Sequence, residues 1–202
     1  MTSSPELSHS QMAALERVGR VGSELAAESL SRIIGRPLRV AASSATLLPF
    51  QKVPEVLGGP EAEVVGIYLA IHGAVEGRIL LVIPADRAYA LTHRMYEPGE
   101  VKDADSPRFR VGVTLVADVL AASLLSALSG TTRLPLYSTP TQTVTDMAGA
   151  ISSQLLAEAG AHSENVLVYR CRFECGELIA EAHWLLAPAP ASMNTILEAL
   201  GV

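Results

Sequence analysis

Residues 64–83 read VVGIYLAIHGAVEGRILLVI, and this stretch decides the fold. Val64 to Ile71 and Arg78 to Ile83 are short apolar runs rich in β-branched residues, which is typical of strands. The segment between them, His72 to Gly77, contains two glycines and predicts the turn of a β-hairpin. A single hairpin is only marginally stable, so these strands must pair and pack with other parts of the chain.

A long helical pattern precedes this hairpin, from Ser10 to the predicted helix end at Gly35. Pro37 follows two residues later and prevents the helix from continuing. One face is formed by apolar and small residues at spacings of three and four, which are Leu15, Val18, Gly22, Leu25, Ser29 and Ile33. The pattern predicts an amphipathic helix with one solvated face.

The same order of elements recurs in the second half of the chain. A helical pattern runs from Phe109 to Leu128 with a predicted end at Gly130, which lies 95 positions after Gly35. A second hairpin is predicted over Val166–Leu186, and its Gly176 lies 99 positions after Gly77. Such similar offsets indicate an internal duplication.

Two long helices and two hairpins predict an α+β fold, in which the helices cover one mixed, mainly antiparallel sheet built from two repeats. We expect a single domain over residues 10–202, made of repeats 10–96 and 108–202. The polar residues 1–9 are expected to be disordered. The stretch between the repeats, around Glu97 to Pro107, is rich in turn-forming residues and predicts a linker.

The composition excludes several classes of protein. Hydrophobic residues make up 49% of the 202-residue chain and charged residues 18%, which argues against disorder. The net charge is −6 and there is no dense block of lysine and arginine, so nucleic acid is not an expected partner. Two cysteines do not make a disulfide framework, and the first residues do not form a secretory signal. We therefore expect a cytoplasmic protein.

The second long helix is unusually apolar from Val111 to Leu128. Asp118 lies at its middle, where a charged group would cost about 3 kcal/mol in a bilayer, so a membrane span is not expected. A surface helix of this kind would expose a larger apolar patch than soluble monomers tolerate. We expect the helix to be covered, either by its own chain or by its counterpart in a homodimer.

Four segments carry a resemblance to a known family. They are LERVGRVGS at 15–23, VPEVLGG at 53–59, GRILL at 77–81 and DMAGAI at 146–151. In this order they resemble the first helix, the following loop, the hairpin return and the second-repeat segment of the CheC/CheX/FliY group of chemotaxis phosphatases. The resemblance spans residues 12–186 and implies a pseudo-two-fold α/β sandwich.

The resemblance also implies a chemistry. In this group a helix presents a Glu and, three residues later, an Asn, so that both side chains project from one face. The Asn amide orients the water that hydrolyses the aspartyl phosphate of a CheY-type receiver, and the Glu anchors a lysine of the receiver. Counting back from Gly35 places Arg17 at the Glu position and Arg20 at the Asn position. A guanidinium accepts no hydrogen bond and cannot replace the amide.

The second repeat also departs from this motif. The same count from Gly130 gives Gly112 and Leu115. The chain contains only two asparagines, Asn165 and Asn194, and neither lies on a predicted long helix. The Glu-x-x-Asn motif is thus expected to be degenerate in both repeats, with no catalytic residues.

The polar face of the first helix supplies the candidate partner-binding residues Arg17, Arg20, Glu24 and Glu28. One interpretation is a solvated helix face supported by Arg20–Glu24 pairing. The other is a docking surface in which the arginines meet an acidic pocket of a receiver.

No metal site or cofactor is expected. Cys171 and Cys175 would need further ligands, and His162 and His183 do not have a ligand spacing.

Three functions stay open at this point. The first is a non-catalytic signalling protein that binds a CheY-type receiver or a CheD-like protein. The second is an active aspartyl-phosphate phosphatase that uses Glu16, Glu24 or Asp118 to position water. The third is a small-molecule sensor, for which the sequence shows no pocket.

Overall fold

The structure is a computed structural model and describes residues 7–97, 99–101, 103, 106–159 and 165–202. In these residues the helices are α1 (His9–Ile34), α2 (Val53–Val56), α3 (Ala85–His93), α4 (Pro107–Thr132), α5 (Ala148–Ala159) and α6 (Pro190–Ala199). The strands are β1 (Arg39–Pro49), β2 (Glu63–Gly73), β3 (Gly77–Pro84), β4 (Leu136–Ser138), β5 (Gln142–Met147), β6 (Asn165–Cys175) and β7 (Leu178–Pro188).

All seven strands form one sheet in the order β1-β6-β7-β3-β2, with β4 and β5 both pairing with β2 at the far side. Every pairing is antiparallel. The two hairpins, β2–β3 and β6–β7, meet at the centre, where β3 pairs with β7. The first strand of each half pairs with the hairpin of the other half. The predicted single, mainly antiparallel sheet is confirmed.

The helices cover both faces of the sheet. Helices α1 and α4 pack together on one face, where the larger apolar core lies. At their crossing a Cβ on Gly22 would lie 3.2 Å from the Cα of Leu124, so a small residue permits the close approach. A smaller core on the opposite face contains Ile151 and Leu155 of α5. This layered arrangement confirms the α+β sandwich.

Each long helix begins after a serine that caps its first turn, but the two helices end differently. Ser8 caps α1, and its hydroxyl accepts from the Gln11 N–H, so the helix begins at His9. Helix α1 ends at Gly35, whose φ of 69° glycine adopts without strain. The prediction that the second helix ends at Gly130 is wrong, because α4 continues to Thr132 and Arg133 takes the left-handed conformation with a φ of 58°.

Hydroxyl groups at the end of α4 replace the glycine. The Thr132 hydroxyl donates to the Leu128 carbonyl and accepts from the Leu134 N–H, and the Ser129 hydroxyl donates to the Leu134 carbonyl. Both long helices have 26 residues, and α4 begins 98 positions after α1. This offset relates equivalent positions in the two helices.

Most of the apolar surface of α4 is covered by its own chain. The helix is long and apolar enough to span a membrane by length and composition, yet 56% of its most apolar stretch is buried within the molecule. This degree of burial fits a core helix. Its outer face leaves Val111 and Leu115 exposed, at 62% and 41%.

On α1 the prediction that Leu25 faces the core is wrong, because the side chain is 37% exposed. The neighbouring Ala26 and Ala27 are buried in its place.

Candidate functional site

The outer face of α1 carries the predicted partner-binding residues. Arg17, Arg20, Glu24 and Glu28 are all exposed on this helix. An open groove of about 340 Å³ runs between α1 and strand β1, and its lining residues are Ala13, Glu16, Arg17, Arg20 and Ser43. The structure therefore places the two arginines in one groove, together with a residue of the neighbouring edge strand.

The two glutamates are arranged differently. Glu24 does not line the groove, and the Glu28 carboxylate forms an ion pair with Arg32, one turn further along the helix. No ion pair to Arg17 or Arg20 is formed by the residues that the structure describes. The Arg20–Glu24 pairing that would mark a self-satisfied helix face is thus not found. Both guanidinium groups are available to an acidic partner.

The second repeat has a different surface at the equivalent place. The offset of 98 residues relates Arg17 to Leu115, Arg20 to Asp118, and Ser43 to Thr141. The Thr141 hydroxyl donates a hydrogen bond of 2.5 Å to the Asp118 carboxylate, which links the residue before β5 to helix α4. The first repeat therefore has an open groove lined by arginines, whereas at the equivalent place in the second repeat a hydrogen bond joins Thr141 to Asp118.

This offset corrects the positions obtained by counting from Gly130. Gly112 is not the counterpart of Arg17, because it is buried against α3, where an added Cβ would lie 2.9 Å from the Thr92 Cγ2. By this offset Leu115 and Asp118 are the counterparts of Arg17 and Arg20. The sequence could not show this, since it required the true end of α4.

The chemistry available at the two positions is different. Arg20 donates hydrogen bonds but accepts none, whereas the Asp118 carboxylate accepts hydrogen bonds but donates none when ionised. Leu115 has no polar group with which to anchor a lysine. Neither surface therefore presents the Glu and the Asn together.

Beneath α1 the site rests on a tightly packed core. The Tyr169 ring lies directly against Gly19, one residue before Arg20. Ser23 donates its hydroxyl to the Gly19 carbonyl. Burial raises the pKa of the Cys171 thiol to about 12, although a hydrogen bond with Ser23 partly offsets this effect. The thiol is therefore protonated near neutral pH and is not a reactive nucleophile.

Cys171 and His183, two of the residues considered as metal ligands, are not brought together. Cys171 packs in the core beneath α1 and α4, whereas His183 pairs with Val82 and lies on the opposite face of the sheet. His162 lies outside the described residues. Within those residues no group of three potential ligands is close enough to hold a metal ion.

A second open groove, of about 420 Å³, was not predicted from the sequence. It lies beyond the end of α1, and its lining residues are Arg36, Pro37, Arg94, Cys175, Gly176 and Glu177. It mixes two arginines with one glutamate on loops that are distant in sequence. No local motif could have indicated this groove, because the topology alone assembles it.

No protein-family model matches the chain. The chain is 25% identical to the CheY-P phosphatase CheC of Bacillus subtilis over 201 residues, which covers 95% of this chain and 94% of that protein. This likeness supports the CheC/CheX/FliY-type superfamily. The resemblance stated from the four sequence segments is confirmed.

Solved structures have the same fold. FliY of Thermotoga maritima superposes with a TM-score of 0.78 at 15% identity, covering 98% of each chain. CheX of Desulfovibrio desulfuricans superposes with a TM-score of 0.53 at 12% identity, covering 84% of this chain and 98% of that one. At these identities the likeness establishes the CheC/CheX/FliY fold, and the chemistry depends on the residues of this chain.

Proposed function

We propose that this protein is a CheC-like accessory protein of chemotaxis or two-component signalling. It binds a CheY-type response regulator, or a related partner, without dephosphorylating it. The supporting observation is the pair of exposed arginines, Arg17 and Arg20, without an ion-pair partner in the described residues. Arginine is well suited to carboxylate and phosphate groups, which it can contact through two parallel hydrogen bonds. The relative in Bacillus subtilis is a phosphatase of CheY-P, which supports this class of partner.

The proposed lack of phosphatase activity depends on the substituted positions. Arg17 and Arg20 stand in the first repeat where the family motif has Glu and Asn, and Leu115 and Asp118 stand there in the second. Neither pair supplies an amide that can orient water. On this proposal the chain keeps the fold of its relatives without the Glu and Asn of the family motif.

Binding is tested by reversing the charge of the arginines. The double variant Arg17→Glu, Arg20→Glu is expected to weaken binding of a CheY-type receiver from the same organism at least tenfold, because its acidic pocket would face two carboxylates. Isothermal titration calorimetry on the phosphorylated and unphosphorylated receiver measures the effect. Arg87→Glu with Arg110→Glu is the matched control, since both residues are exposed and lie outside the groove. Equal affinity for wild type and groove variant refutes this docking surface.

Activity is tested by the decay of the phosphorylated receiver. Equimolar protein is expected to leave the decay rate unchanged. Acceleration beyond about tenfold, or about 1.4 kcal/mol of barrier, would contradict the proposal.

The alternative is a phosphatase that uses non-standard residues to position water. Asp118 is a better candidate for this role than Glu16 or Glu24, because it is the second-repeat counterpart of Arg20. In that case Asp118→Ala would remove the acceleration, whereas Asp146→Ala, a change at another exposed carboxylate, would not.

A homodimer through α4 stays a prediction. The inner face of the helix is covered by its own chain, and its exposed large apolar side chains are Val111 and Leu115. A CheD-like protein is an alternative partner. The expected compartment is the cytoplasm, where CheY-type receivers act.

A further inference from the structure

Strand β1 forms one edge of the sheet and has features of a strand that accepts another. It is 11 residues long and has β6 as its single neighbour in the described sheet. After Arg39 it contains no charged residue, since positions 40–49 read VAASSATLLP. Natural proteins usually protect such edges with charged side chains, prolines or short strands. Here one register irregularity lies near the start of β1, between Val40 and Ala42, and Pro49 lies at its end. The edge between them, residues 42–48, has neither a charge nor a proline.

The opposite edge of the sheet is different. Strand β5 has only six residues, and Asp146 lies within it. The hydrogen bond from Thr141 to Asp118 ties the start of this edge to helix α4. By the offset of 98 the counterparts of these two residues are Ser43 and Arg20, which line an open groove. The two edges are therefore equivalent in topology. In the described sheet the β1 edge is the long one, carries no charge after Arg39, and is bordered by the unpaired Arg17 and Arg20.

The groove lies where side chains of an added strand would reach. Ser43 is half-buried and lines the groove with Arg17 and Arg20, so it faces α1. A strand added outside β1 would run about 4.8 Å from it, and its alternate side chains would point to the α1 side of the sheet. Those side chains would meet the two guanidinium groups. Glu16 also lines the groove, but one carboxylate against two guanidinium groups leaves it net positive.

We propose that the β1 edge and the Arg17–Arg20 groove bind an extended acidic segment of a partner protein by strand addition. The backbone of the segment hydrogen-bonds to β1, which supplies affinity. Acidic side chains at alternate positions contact Arg17 and Arg20, which supplies specificity.

Charge favours this occupant over a second copy of the chain. A two-fold pairing of β1 with itself would centre near Ser44, the middle of the strand. Ser43 of both copies would then lie close together on one face of the joined sheet, with both pairs of arginines above it. Like charges brought together in this way oppose association. An acidic segment places opposite charges at the same position.

This inference goes beyond receiver docking, and its test does not involve a receiver. The two ligands share Arg17 and Arg20, so an acidic peptide would compete with a docked receiver. Receiver binding without peptide binding would overturn this inference alone, and the reverse result would overturn only the receiver proposal.

The probe is a fluorescein-labelled ten-residue peptide that alternates valine and glutamate, and its binding is followed by fluorescence anisotropy. The charge-reversed variant Arg17→Glu, Arg20→Glu is expected to weaken binding at least tenfold, whereas the matched control Arg87→Glu, Arg110→Glu retains it. A peptide with lysine in place of glutamate should show the opposite preference and bind the charge-reversed variant better than wild type. Circular dichroism confirms that each variant is folded.

Strand addition is distinguished from simple charge attraction by methylating the peptide backbone. Two further peptides carry N-methyl groups on all valines or on all glutamates, which leaves the charge unchanged. At least one of them is expected to bind at least tenfold more weakly, because methylation blocks the amides that face β1. Wild-type affinity for both methylated peptides, or no measurable binding of the parent peptide, overturns the inference.

Discussion

Replacement of Gly19 by alanine is expected to destabilise the protein by about 3 kcal/mol, near the upper end of typical overpacking penalties. A Cβ at this position would lie 2.2 Å from Cδ1 and 2.7 Å from Cε1 of Tyr169. The Tyr169 ring is itself buried between the sheet and α1, so it has little room to move. This clash outweighs the gain of up to about 1 kcal/mol that alanine usually brings to a helix interior. Urea denaturation followed by circular dichroism measures the free energy of unfolding.

The second long helix offers a matched control. A Cβ on Gly130 of α4 would meet no atom within 4 Å, and its φ is not positive. Gly130→Ala is therefore expected to stabilise the protein by about 0.5–1 kcal/mol.

A second control removes the Tyr169 ring. In a Tyr169→Leu background the penalty of Gly19→Ala should fall by at least about 2 kcal/mol, because the clashing ring is gone. An equal penalty in both backgrounds would show that Tyr169 is not the cause.

Acid is expected to destabilise the protein through His183. Burial, together with the nearby Arg170 guanidinium, lowers the pKa of this imidazole to about 4, against an ordinary value of 6.5. Neither ring nitrogen has a hydrogen-bond partner in the described residues. Between pH 6.5 and pH 4 the unfolded chain binds a proton that the folded chain does not bind. The free energy of unfolding therefore falls as the pH falls through this window.

The variant His183→Leu isolates this contribution. From pH 7 to pH 5 the wild type should lose about 2 kcal/mol more than the variant, because the other titrating groups are common to both. At pH 7 the variant should be at least as stable as the wild type, since it removes an unpaired buried polar group. Urea unfolding at both pH values measures the difference. Parallel losses in wild type and variant would contradict the assigned role of His183.

The fold was largely predictable because its signals are local and repeated. These signals are hairpin turns, the glycine that ends a helix, and periodic apolar residues, and each depends only on neighbouring positions. The same order of signals recurs in the second half of the chain. The end of α4 was not predictable, because Gly130 is a familiar stop signal. The actual end depends on the hydroxyls of Ser129 and Thr132, which act through contacts with Leu134.

The candidate site was predicted in part. The exposed face with Arg17 and Arg20 follows from helical periodicity alone. The groove beside it does not, because Ser43 comes from a strand whose position is fixed by pairing with residues far along the chain. The position of Asp118 beside Thr141 could not be predicted either, because it depends on both the end of α4 and the register of the sheet.

The exchange of first strands between the two halves constrains how the chain can be made. Strand β1 pairs with β6 over partners that run from Arg39 with Glu174 to Pro49 with Asn165. On the ribosome, residues 39–49 emerge long before residues 165–174, with which they pair, have been synthesised. Until then β1 has no strand to pair with. Pairing across such distances is slow, because the long loop must close before any contact rewards it. The chain therefore completes its fold as a unit, only when almost all of it has been synthesised.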